Sequence, residues 1–371
     1  MRIKVLISII ISFSLTLAFF TYFLSKEKGE LTRERSVLSN SEYQNYFNLC
    51  EKRENQELIY QCYLTYFQNL SVTSSPVNVV KTFVTLKDKT NAYSGRCHSI
   101  GHRLGKWLFD EYGSKAIDSI VDVCGLSITH GYMERAGLTL PLDEFELIFL
   151  ELCKNEDNIS GCVHGLGHGL YLTNIKIDQA DNFCTEINSK FKLEDKSHPN
   201  MYNVLCMEGY VMEDFLGSIE EWKRVREIKY PLSLCEGLST YSKIGCEGIA
   251  LRNYIQISSA FKDLNKYLDN RIKEVVGRCK FKVNEEKFYC SGYIGYSLSE
   301  LVDVKNLENF EDKRISTSCS LVFANSCLDS YFGSIFSLIG KNTPQMKVYC
   351  SKFRGDDKKY CINSYSTNRR L

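Results

Sequence analysis

Proline is scarce, with five residues in 371, and tryptophan scarcer still, with two. No stretch is of low complexity, so nothing marks a long disordered linker inside the folded part. An excess of charge is missing as well, since 46 lysines and arginines face 45 aspartates and glutamates. With a formal net charge of +1, no global field draws the protein to nucleic acid or any other polyanion. After Leu24 no apolar run is long enough to cross a bilayer. The first cysteine, Cys50, is also the first of sixteen, so the N-terminal segment has none.

Familiar catalytic signatures are absent too. There is no G-x-S-x-G, no phosphate-binding glycine loop and no H-E-x-x-H, which removes the ordinary serine hydrolase, nucleotide-binding and zincin readings. No C-x-x-C-H occurs, which excludes covalently attached c-type haem.

What is present begins with Arg2 and Lys4 ahead of an uncharged, mostly apolar run from Val5 to Leu24. As a helix such a run rises about 30 Å, the thickness of the hydrocarbon core. It ends in Tyr22, Phe23 and Leu24 rather than in small residues of an A-x-A type, which predicts a retained signal anchor over 1–25 instead of a cleaved leader. A polar stalk follows over 26–40. Flanking charge does not settle orientation, because Lys26, Lys28, Arg33 and Arg35 match or exceed Arg2 and Lys4. The cysteines do: an even, abundant set in non-catalytic spacing belongs in an oxidising compartment, so the bulk of the chain is expected in the periplasm or outside the cell.

In chain order most cysteines form close pairs: Cys50 with Cys62, Cys153 with Cys162, Cys235 with Cys246, Cys279 with Cys290, Cys319 with Cys327, and Cys350 with Cys361. Cys97 with Cys124 and Cys184 with Cys206 are wider pairs and complete eight expected disulfides. The segments between the members of a narrow pair are polar and turn-like; those outside are amphipathic. Pro141 to Cys153, for example, places Phe145, Ile148, Phe149 and Leu152 at helical spacing behind a proline suited to a helix start. Units restart roughly every thirty to fifty residues, within the range of helical repeats. The fold class predicted is all-α, a disulfide-clipped helical-hairpin repeat array over 41–371 preceded by one transmembrane helix.

Five of the six histidines fall in three related segments, CHSIGHRLG from Cys97, CGLSITHGY from Cys124 and GCVHGLGHGLY from Gly161, all within 97–171. On a helix i and i+4 share a face, so His98 with His102 and His164 with His168 each present two imidazoles to one ion. His130 supplies a fifth nitrogen, with Glu134 four residues on as a carboxylate for acid–base work; Glu208, Glu213 and Asp214 lie in the next repeat. The predicted metal ligands are therefore His98, His102, His130, His164 and His168, and the ion a transition metal such as zinc, copper or iron. His130 and Glu134 are the residues to consider if the ion supports catalysis. Gly165, Gly167 and Gly169 each cost about 1 kcal/mol in a helix, so a close neighbour, protein or ligand, must offset them. For Cys97, beside His98, a disulfide is expected rather than a ligand role.

These motifs, CHxxGH and CxHGxGHG, resemble a pattern in uncharacterised exported or membrane-anchored bacterial proteins, and the clipped hairpins are similar in style to cysteine-rich Sel1-like repeats. The resemblance implies a repeat architecture in the bacterial envelope and no particular activity. Two functions stand side by side at this point. One is a membrane-anchored protein with a histidine-rich metal site; the other is a metal-free repeat scaffold that engages an envelope protein or a glycan.

Overall fold

The computed structural model describes residues 40–89, 96–121, 123–153, 159–191, 200–216, 234–260, 262–282, 284–302, 313–339 and 344–366. The anchor expected at Val5 to Leu24 and the stalk up to residue 39 lie outside the described residues, among which no helix is long and apolar enough to cross a membrane. The described residues form sixteen α-helices and no strand. The chain divides into two compact units, with the boundary between Leu104 and Gly105.

The first unit contains α1 (Asn40–Glu51), α2 (Gln56–Ser71), α3 (Pro76–Lys89) and the start of α4 (Cys97–Tyr112). Asn55 caps α2 by accepting from the Leu58 amide at 3.0 Å, and Cys50–Cys62 clips the turn. Aromatic rings fill the core: Phe47 stacks on Tyr63 at 4.8 Å and Phe67 on Phe83 at 5.7 Å, all four buried. Polar ends of that core are satisfied, since Glu51 accepts from the Tyr63 hydroxyl at 2.7 Å and pairs with Arg96 at 3.1 Å.

In the second unit, α5 (Ser127–Thr139), α7 (Ile159–Leu172), α9 (Met201–Leu216), α10 (Thr240–Ala260), α12 (Asn284–Leu298), α14 (Ala324–Ile339) and α16 (Gly355–Ser366) pack each against the next in a row. Flanking them are α6 (Leu142–Cys153), α8 (Ile177–Phe191), α11 (Lys262–Lys280), α13 (Lys313–Ser320) and α15 (Pro344–Ser351). The helix read behind Pro141 is α6, which buries Phe145, Phe149 and Leu152. Disulfides Cys153–Cys162, Cys184–Cys206, Cys235–Cys246, Cys319–Cys327 and Cys350–Cys361 are all closed. In every one the second cysteine stands on a helix of the row, so each clip ties a preceding segment to the row. Cys97 of the first unit is disulfide-bonded, and so is Cys124 of the second. So many oxidised cysteines fit an oxidising compartment.

One expected clip is corrected. Cys279 and Cys290 are both buried thiols, not a disulfide. The Cys279 sulfur is held by other contacts, 3.7 Å from the Ser291 hydroxyl and 4.0 Å from the Lys287 carbonyl, and the two thiols hydrogen-bond to each other.

Glycine explains how the row packs so closely. A Cβ on Gly167 of α7 would overlap the Cys206 carbonyl of α9, and one on Gly209 of α9 would overlap the His164 carbonyl of α7. The helices thus touch backbone to backbone at both points, which is the compensation that the glycine-rich stretch requires.

Candidate metal centre

Helix α5 starts from three successive residues with positive φ, Cys124 (55°), Gly125 (65°) and Leu126 (63°). For a bulky residue such as Leu126 this region costs on the order of 1–2 kcal/mol. The Leu126 side chain occupies the space beside Gly161 of α7 that any larger residue there would claim. The turn thereby seats α5 on α7, and the His130 amide donates to the Leu126 carbonyl at 2.9 Å. His130 and Glu134 then follow on one face of α5, both buried.

Three of the five predicted histidines meet in this unit. The His130 ring lies 4.8 Å from that of His164 and 5.2 Å from that of His168, centroid to centroid. Nε2 of His164 and Nε2 of His168 face each other at 3.0 Å. One ring nitrogen from each of the three histidines falls within 4.8 Å of the others. In a tetrahedral zinc site, with Zn–N bonds of about 2.0–2.1 Å, donor nitrogens stand roughly 3.3 Å apart. The His164 and His168 nitrogens already stand near that spacing.

Helix α9 supplies the carboxylates behind the imidazoles. Glu213 lies 3.0 Å from Nδ1 of His168, and Glu208 lies 3.7 Å from Nδ1 of His164. A carboxylate accepts, so Nδ1 of His168 carries the proton and donates to Glu213. Burial lowers the pKa of His168 and keeps the ring neutral, leaving its Nε2 as a lone pair directed at His164. If His164 turns its own Nδ1–H to Glu208, a second lone pair confronts the first at 3.0 Å. Two such lone pairs repel unless a positive charge stands between them. A metal ion supplies that charge, and so does a proton on one of the rings. The donor set therefore fits a transition-metal ion, and the backing carboxylates are the usual outer partners of ligating histidines.

Burial pushes Glu208 up, yet His164, the Tyr293 hydroxyl and Arg252 together hold it below the ordinary carboxylate range. Tyr293 of α12 donates to Glu208, and burial with the facing carboxylate raises that phenol well above its usual value. Arg252 of α10 pairs with Glu300 at 2.8 Å and lies 4.5 Å over the Tyr296 ring. On the other flank Lys106 reaches Glu134 at 2.6 Å, and Glu134, His168 and Glu213 form a second group with ligand atoms within 4.8 Å.

His98 and His102 stand in the first unit, where they repeat the same edge, with their Nε2 atoms 3.1 Å apart. His98 is exposed and His102 partly buried. Sequence reasoning counts Glu208 and Glu213 only as available carboxylates, although Glu208 follows its cysteine by two residues as His164 does. Lys106 and Tyr293 carry no motif that would mark them.

No protein-family model, no curated protein and no solved structure matches this chain.

Proposed function

We propose that the protein is a membrane-anchored, extracytoplasmic helical repeat protein that binds a transition-metal ion through Nε2 of His164 and Nε2 of His168, with His130 as the third ligand. The observation that carries this reading is the pair of facing Nε2 atoms, 3.0 Å apart, with carboxylates behind both rings. Zinc, copper and iron all accept imidazole donors. Glu213 orients His168, Glu208 orients His164, and Glu134 on α5, grouped with His168 and Glu213, is a carboxylate available for a fourth ligand or for moving a proton. Bound there with an open position, the ion would supply Lewis-acid or redox chemistry. The His98 and His102 pair offers a second two-nitrogen edge in the first unit. The closed disulfides support an oxidising location, and Val5 to Leu24 would hold the chain at the membrane.

Elemental analysis of protein produced with its disulfides formed tests the assignment. Loss of bound metal in His164→Ala/His168→Ala, with retention in His98→Ala/His102→Ala, supports it. Retention in the first variant refutes it.

A further inference from the structure

The polar chain behind His164 does not stop at Glu208. Tyr293 belongs to α12, which packs against α10 and not among the helices that carry the histidines. Its hydroxyl nevertheless reaches past α10 to Glu208 on α9. Gly248 of α10 leaves room for it: a Cβ there would lie 2.5 Å from Cδ1 and 2.7 Å from Cγ of the Tyr293 ring. Gly248 stands two residues after its row cysteine, where the preceding repeats carry His164 and Glu208. Two repeats thus place a functional side chain at that point, and the third omits one so that the fourth can reach through.

The same neighbourhood holds Glu208 from its other sides. Arg252 contributes positive charge, itself fixed by Glu300 and stacked on Tyr296. With one carboxylate oxygen accepting from Tyr293, Glu208 has a defined orientation toward Nδ1 of His164, 3.7 Å away. A hydrogen bond two links from an ion changes both the basicity and the direction of the ligating nitrogen.

We propose that Tyr293 is a positioning residue of the metal centre, which acts through Glu208 on His164 and sets the affinity and ligand field of the ion. This rests on the metal-binding reading above. It assigns to the histidine-free repeats from Cys235 onward a part in tuning the site.

The test uses the full chain with its disulfides formed, loaded with Cu(II), in wild type, Tyr293→Phe, Gly248→Ala and Tyr331→Phe. Tyr331 is a buried tyrosine of α14 whose hydroxyl meets that of Tyr349 and serves as a control for losing a buried hydroxyl. Tyr293→Phe should keep the copper stoichiometry, weaken binding about tenfold to a hundredfold and shift the electron paramagnetic resonance parameters of the bound ion. Gly248→Ala keeps the tyrosine hydroxyl yet displaces the ring, and should shift the spectrum as well. Tyr331→Phe should change thermal stability and leave affinity and spectrum alone. If Tyr293→Phe binds copper with wild-type affinity and spectrum, the positioning role is wrong while the metal site stands. If wild type takes up no copper, zinc or iron, the metal-binding reading fails and this inference fails with it.

Discussion

Nδ1 of His168 lies 3.0 Å from Glu213 while Nε2 of the same ring lies 3.0 Å from Nε2 of His164. One nitrogen is thereby committed to a carboxylate and the other is aimed at a partner donor. Glu213→Gln keeps the shape of that carboxylate but removes its charge. The expected result is a metal affinity about 10- to 100-fold weaker at unchanged stoichiometry, read by competition with a chromophoric chelator. Unchanged affinity would show that Glu213 does not support the ligand.

Helix contact through glycine gives a second, opposite-signed pair. Gly209→Ala drives a methyl group into the His164 carbonyl and should destabilise the second unit by about 1–3 kcal/mol, with weaker metal binding because His164 is displaced. Gly277 lies inside α11, where a Cβ would meet nothing within 4 Å, so Gly277→Ala should stabilise by about 0.5–1 kcal/mol. Calorimetric melting of both variants checks the contrast. Equal effects would mean that the α7–α9 approach is not tight.

Disulfide removal should scale with the loop enclosed. In the chain-entropy model, Cys184–Cys206, with a sequence separation of 22, contributes about 3.4 kcal/mol, and Cys319–Cys327, separated by 8, about 2.5 kcal/mol. Paired serine variants at each clip, unfolded in denaturant, should rank in that order. The reverse order would point to native-state packing, not loop closure, as the main contribution.

The buried thiols make a chemical prediction. Denaturation in an alkylating reagent without reductant should label Cys279 and Cys290, while the clip cysteines require reduction first. In the folded protein both should resist labelling, because neither is exposed. Absence of label at both after denaturation would show that this pair closes like the others.

Local sequence carries much of this architecture. Cysteine spacing locates the hairpins because a clip constrains residues only 8 to 12 apart in most pairs. Histidine periodicity locates His164 and His168 because an α-helix converts a four-residue interval into a shared face. Tyr293, by contrast, meets Glu208 from 85 residues away, and no periodicity encodes which later helix reaches past α10. Cys279 and Cys290 have the same separation, 11, as the closed pairs at Cys235 and Cys350, so spacing alone does not distinguish thiols from a disulfide. The division at Leu104 falls within α4, so no break in helical periodicity marks it.

The most direct measurement is the metal content of the disulfide-bonded protein by elemental mass spectrometry, beside His164→Ala/His168→Ala and after exposure of both to zinc, copper and iron. Near-stoichiometric metal is expected in wild type, and its loss in the variant. Metal-free wild type, or equal metal in both, would contradict the metal-binding reading and leave the row of helices as a scaffold for a protein or glycan partner.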